Sequence, residues 1–214
     1  MNLLQRLIKA GPEHRKFMRQ IFVSVDITAP LFWFKEFDTY RIGVTENSTS
    51  TMHKLAETPI TIDCFEIDDY DRRLPIFDNL TKTNKTVCDF IEWPPNGLIK
   101  FLELLRQKYL ETKDKRYWKE LIRWLPESWL QTRTVTMNYE NLLAMCSRGQ
   151  RRFHKLNEWS GQDNHELSNF IDWARSLPYA QELIFLDELD EVKKLEENGA
   201  TNSLIEAVHK AQKN

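Results

Sequence analysis

Apolar residues recur at helical or strand spacing along most of the 214-residue chain, separated by clear stop signals. Leu3, Leu4, Leu7 and Ile8 share one face of a short helix, which Gly11-Pro12 stops. Over Ile21–Thr28, Phe22, Ser24 and Asp26 alternate with Val23, Val25 and Ile27, which predicts a strand with one face toward a core. Pro30 suits the first turn of the next helix, which carries Phe32, Trp33, Phe34 and Phe37. Thr61–Ile67 reads as a strand, and Asp68–Arg73 and Asp78–Thr86 read as exposed loop. After Pro94-Pro95-Asn96-Gly97, helical spacing returns in Leu98, Phe101, Leu102, Leu105 and Tyr109. It returns again in Trp118, Leu121, Ile122 and Leu125, with a charged turn at Lys113–Arg116 between the two helices and Pro126 closing the second. Thr132–Met137 predicts a short strand, and Asn138–Cys146 a helix through Leu142, Leu143 and Met145. A basic knot follows, with Arg148, Arg151, Arg152, His154 and Lys155. From Pro178 the tail is acidic and helical, with a break at Asn198-Gly199.

Between the aromatic helix and Leu55 the pattern changes. Asp38-Thr39-Tyr40-Arg41 leads into Thr45-Glu46-Asn47-Ser48-Thr49-Ser50-Thr51 and then Met52-His53-Lys54. Ser, Thr and Asn side chains compete for the backbone's own hydrogen bonds, so this segment is a poor helix former. Hydroxyls and exposed N–H groups are also what a phosphate-bearing ligand uses. The plain alternative is a solvated loop capped by Asn and Ser.

Composition narrows the choices. A hydrophobic fraction of 41% and a charged fraction of 29% are those of an ordinary globular chain. Seven tryptophans against six glycines argue against disorder. The formal charge of −2 supplies no global field for nucleic acid or a membrane surface, so an anionic ligand must be gripped locally. Cys64, Cys88 and Cys146 are scattered, with no Cys-x-x-Cys pair. That speaks against a disulfide framework or a metal site and for a reducing, cytoplasmic setting. The N-terminal residues lack the pattern of a signal peptide, and no stretch has the length of a membrane span.

Three features then stand in a fixed order. An apolar strand passes through Ala29-Pro30 into the aromatic helix and the segment Thr39–Leu55. Leu125-Pro126 is followed, twelve residues after the proline, by Asn138, with Val135-Thr136-Met137 just before it. A short helix leads to arginines and then His154-Lys155-Leu156-Asn157-Glu158-Trp159. Over roughly residues 1–175 this order resembles the flavin-dependent thymidylate synthase family. The resemblance implies an α+β fold with a mixed or antiparallel sheet flanked by helices. It implies a synthase-like domain over residues 1–178, a helical extension over 179–214, and a homotetramer with sites formed between subunits. It further implies that FAD, reduced by NADPH, relays a one-carbon unit from methylenetetrahydrofolate to C5 of dUMP or a related pyrimidine nucleotide. No protein nucleophile is needed, and no catalytic side chain is assigned. The other reading is a member of the fold that binds or sequesters a nucleotide without methylating it.

Carried over without gaps, the family's Arg-His-Arg signature falls on Thr39-Tyr40-Arg41, and its Asn-Glu pair on Glu46-Asn47. Its Ser-x-Arg-Tyr element falls on Thr49-Ser50-Thr51-Met52, its trailing serine on Val44, and the glutamine of the preceding helix on Glu36. The resemblance thus assigns Thr39, Tyr40, Arg41, Glu46 and His53 to the cofactor. To the nucleotide it assigns Glu36, Asn47, Thr49, Ser50 and Thr51, with a later arginine at Arg148 or Arg151. A second placement, through Arg175 and Ala180-Gln181, requires a long insertion after Asn138. Each arginine replaced by a neutral residue removes a charged hydrogen bond of about 1.5–3 kcal/mol. Lys35, Arg41, His53, Lys54 and the basic knot are the groups available to replace it.

Overall fold

A computed structural model describes residues 1–40, 42–49, 54–68, 70–90, 97–147, 151–163 and 166–197. Five strands are described: β1 (Phe22–Pro30), β2 (Thr45–Ser48), β3 (Pro75–Asp78), β4 (Thr83–Thr86) and β5 (Leu130–Asn138). The first six helices are α1 (Asn2–Lys9), α2 (Leu31–Phe37), α3 (Val87–Phe90), α4 (Leu98–Thr112), α5 (Lys115–Arg123) and α6 (Tyr139–Met145). Four more follow: α7 (Asn157–Ser160), α8 (Phe170–Arg175), α9 (Ala180–Leu183) and α10 (Leu186–Glu197). Among the described residues no helix is long and apolar enough to cross a membrane.

The main sheet has the order β1-β5-β2. Ser24 meets Thr136 at 2.7 Å, Thr134 donates to Asp26 at 2.6 Å, and Thr28 meets Thr132 at 2.8 Å. Partner numbers fall on one strand as they rise on the other, so β1 and β5 are antiparallel. These side chains share one face of the pleat, and Val135 and Met137, on the other face of β5, are fully buried. Pro30 ends β1 instead of opening the helix. It has no N–H to give to a ladder, and α2 begins one residue later, where Leu31 N–H reaches the Trp129 carbonyl at 3.1 Å.

The chain divides into two units. The first takes Met1–Asp26, Lys35–Asn47 and the chain from Thr134 on. Its core is aromatic: Trp159 is fully buried, with ring centroids 5.1 Å from Phe170 and 5.7 Å from both Tyr40 and His154. Phe37, from the end of α2, meets Phe170 edge-on at 6.2 Å. Leu183, Ile184, Phe185 and Leu186 of the acidic tail are buried in the same unit.

The second unit, Ile27–Phe34 and Ser48–Arg133, is built on α4 and α5. Leu102 and Leu121 are fully buried there, against Leu55, Ile60 and Phe65. The helices are separated by Lys113 in the left-handed conformation (φ 55°) and by Asp114, whose carboxylate caps α5 at Arg116 N–H. Arg106, 8% exposed, bonds both oxygens of Glu103 and also the Ala56 carbonyl.

Two sequence expectations fail in this unit. Thr61–Ile67 is not a strand: Ile62–Cys64 closes a 3-10 turn, and one bridge remains, between Phe65 and Trp129. Donors that a ladder would need are used elsewhere, Ile60 N–H by the Glu103 carboxylate at 2.8 Å and Cys64 N–H by the Thr61 carbonyl. Asp78–Thr86 is not a loop throughout, because β3 and β4 pair antiparallel from Pro75↔Thr86 to Asp78↔Thr83. Asp78 makes the turn without glycine: its carboxylate accepts from Leu80 N–H at 2.9 Å and the Thr81 hydroxyl at 2.6 Å, and Lys82 takes φ 55°.

Candidate functional site

A cleft of about 450 Å³ opens within the first unit. One wall is the turn after α2, with Thr39, Tyr40, Ile42 and Gly43. The opposite wall is the start of α6, with Asn138, Glu140, Asn141 and Ala144. Arg15, Arg19 and Arg151 complete it.

Local chemistry fixes these walls. Asn138 and Asn141 cap α6 reciprocally, each side-chain oxygen accepting the other's backbone N–H at 3.1 Å. Asn141 also donates from Nδ2 to the Ile42 carbonyl at 2.6 Å, which ties the turn to the helix start. Gly43 has φ +81°, and a Cβ there would sit 3.1 Å from Asn138 Nδ2. The chain needs a glycine at that point both for the left-handed backbone and for the close approach.

The electrostatics are lopsided: the described lining residues include three guanidiniums and one carboxylate. Glu140 accepts from Arg15 Nε at 3.3 Å, from Arg19 Nε, and from Arg19 Nη2 at 3.4 Å. The Arg19 hydrogen bond holds the Glu140 carboxyl below the usual carboxylate range, against the opposing effect of burial. Arg151 donates from Nη1 to the Ala144 carbonyl at 3.1 Å and lies 5.3 Å over the Tyr40 ring. Burial raises the Tyr40 phenol, whose hydroxyl sits 3.5 Å from Glu36. His154 accepts Leu156 N–H at Nδ1, which leaves Nε2 facing Glu36 at 3.9 Å.

Of the residues assigned from sequence, Thr39, Tyr40 and Arg151 line this cleft, and Glu36 contacts Tyr40 beside it. Glu46 and Asn47 lie on β2 and are not among the lining residues. Thr49 belongs to the second unit, where its N–H and hydroxyl both bond the Thr132 carbonyl. Arg41, Ser50, Thr51, His53 and Arg148 fall outside the described residues. Sequence reasoning missed Arg15, Arg19 and Glu140 as site residues. The two arginines are four apart in a segment without helical hydrophobic spacing, and Glu140 is more than a hundred residues away. No local signal joins them.

A smaller cavity of about 280 Å³ in the same unit is flanked by Lys9, Arg152, Asp187 and Asp190. Two of its cations are matched, Lys9 to Asp190 at 2.7 Å and Arg152 to Asp187 at 2.8 Å, and Arg15 reaches it from the larger cleft. Among the described residues no group of three His, Cys, Asp or Glu side chains is placed to hold a metal ion.

No protein-family model matches the chain, and no curated protein matches it in sequence. Solved structures do. One is the flavin-dependent thymidylate synthase ThyX from Helicobacter pylori in complex with FAD and dUMP. It is 18% identical with a TM-score of 0.53, over 87% of this chain and 81% of that one. Another structure of ThyX from Helicobacter pylori, with FAD and dUMP, has 16% identity and a TM-score of 0.50 over the same shares. At these identities the likeness speaks for architecture, and the chain has the α+β fold of the flavin-dependent thymidylate synthases.

Proposed function

We propose that the cleft of the first unit binds the phosphate of a pyrimidine nucleotide, and that the protein is a thymidylate synthase-like flavoenzyme acting on dUMP or a close relative. The observation that carries this reading is that Arg15, Arg19 and Arg151 line one cleft with Thr39, Tyr40, Ile42 and Gly43, in a fold whose solved neighbours hold FAD and dUMP. Guanidiniums form the strongest and most directional bonds to phosphate, and Thr39 and Asn141 add neutral polar groups for its remaining oxygens and the sugar. The volume of about 450 Å³ falls within the range of small-ligand sites, about 300–1,000 Å³.

Thr39 and Tyr40, the residues that the family order would give to FAD, also line this cleft and would flank the cofactor where it meets the nucleotide. The rest of a dinucleotide needs surface beyond this cleft, which a tetramer with sites between subunits would provide. When bound, the flavin supplies the redox chemistry, with NADPH and methylenetetrahydrofolate as co-substrates. The chain's own part is to hold and orient the nucleotide. No thiol competes for a nucleophilic role at the cleft. Cys146 is buried, its thiol pushed up to about 12, and Cys64 and Cys88 are not among the lining residues.

Two measurements test this. Purified protein is expected to carry a yellow flavin band between about 350 and 500 nm. It is also expected to bind dUMP in a calorimeter. A colourless protein that takes up no FAD and ignores dUMP removes the proposal. One observation favours a second reading, binding without methylation: Thr39 stands where the family signature has its first arginine, and Glu140 already engages two of the three cleft arginines. That reading predicts thermal stabilisation by dUMP alone and no rescue of a thymidine-requiring host.

A further inference from the structure

We infer that Glu140 sets how many phosphates the cleft accepts, reserving it for a ligand that ends in a single phosphate and disfavouring di- and triphosphates. The inference rests on the nucleotide reading above and deepens it to a specificity residue.

Glu140 sits in the first turn of α6, and its side chain is only 16% exposed. Arg15 and Arg19 hold it from two sides, so its charge is a fixed part of the site. It takes Nε of Arg15, and Nε with Nη2 of Arg19. Both Nη groups of Arg15 and Nη1 of Arg19 have no protein partner among the described residues, and they are the donors left for an incoming anion.

The charge count then selects the ligand. Among the described lining residues, three guanidiniums and one carboxylate leave a net charge of two positive. A phosphate monoester carries about −1.5 to −2 at neutral pH, which matches. A second or third phosphate adds negative charge that no further cation among the described lining residues meets, and it brings that charge against the Glu140 carboxylate. Like charges a few ångströms apart in a part-buried site repel strongly enough to matter. Thr39, Asn138 and Asn141 are neutral and do not change the count. Removing the carboxylate while keeping its shape should therefore help a polyphosphate more than a monophosphate.

The test is calorimetric titration of the full-length protein with dUMP, dUDP and dUTP, without divalent cations. In the unaltered protein dUMP is expected to bind more tightly than dUTP by about tenfold, the size of one modest like-charge contact. In Glu140→Gln, which keeps an amide oxygen for the arginines, that preference is expected to shrink about tenfold or to invert. Glu140→Ala serves the same purpose if the Gln variant fails to fold. An unchanged dUMP-to-dUTP ratio in the folded variant overturns the inference, as does an unaltered protein that prefers dUTP. Absence of binding by all three nucleotides, in every variant, overturns the nucleotide reading and this inference with it.

Discussion

Arg151 and Arg152 are neighbours in the chain and members of two opposite clusters. Arg152 is 3% exposed and gives every guanidinium nitrogen to an oxygen: the Cys146 carbonyl at 2.8 Å, Asp187, and Glu188 at 2.8 Å. Arg175 meets the other side of Glu188 at 2.5 and 2.8 Å, and both guanidiniums lie over the Phe185 ring. Two cations and two anions close on each other, and their formal charges cancel. Arg151 lines the cleft with Arg15, Arg19 and Glu140, where the described residues carry positive charge in excess. The lesson is one of stoichiometry. The same residue type is structural where its charge is matched and buried, and functional where it is in surplus beside a cavity.

The contrast is broken or sharpened most strongly at Arg152. Arg152→Ala leaves Glu188 buried with half its partners, and a loss of about 3–5 kcal/mol is expected in urea unfolding. A thiol reports on the same cluster. In the folded protein a disulfide reagent at pH 8 should react with Cys64 and Cys88 and spare Cys146, whose thiol is pushed up to about 12 by burial. In Arg152→Ala the third thiol should become reactive. Protection of Cys146 in that variant would mean that the cluster does not hold the region closed.

Arg151→Ala should do the reverse of its neighbour. Stability should change by less than about 1 kcal/mol, while dUMP affinity falls about tenfold, the worth of one charged hydrogen bond. Loss of stability with unchanged binding would place Arg151 with the closed cluster.

Glu103 and Arg106 in the second unit make an intermediate case, a matched pair near the surface. The Arg106 hydrogen bond is the chief reason that the Glu103 carboxyl is lowered from 4.5 to about 2. A depressed acid stabilises the fold above its unfolded value, and that contribution is lost as pH falls. Thermal stability should therefore decline between about pH 4.5 and 2, and Glu103→Gln should flatten the decline. The smallest effect belongs to Lys9, 52% exposed against Asp190: Lys9→Ala should cost less than about 1 kcal/mol, and less still in high salt.

The sequence predicted what depends on near neighbours. The alternation in β1, the apolar spacing of α4 and α5, and the Asn138 start of α6 are written within a few residues of themselves, and the structure has them. The β3–β4 hairpin was hidden because Asp78, not an Asn-Gly or Asp-Gly pair, makes its turn. Ion pairing was hidden for a different reason. Arg152 finds its carboxylates 35 and 36 residues later, and Arg19 finds Glu140 across 121, so neither partner leaves a trace near the other. Thr39 and Tyr40 were legible as cleft residues through family order, whereas Arg15 and Arg19 precede the first of the features that carry that order and match none of its motifs.

One amide carries more than its size suggests. Asn141 accepts from a helix-cap N–H with its oxygen and donates to the Ile42 carbonyl with its nitrogen. A primary amide offers a donor and an acceptor on one flat, uncharged group, and glutamine carries it one methylene too far. Aspartate would turn a donor into a repelling oxygen, and serine would not span the gap. Asparagine at position 141 thus holds the mouth of the cavity in shape from both sides of one short side chain.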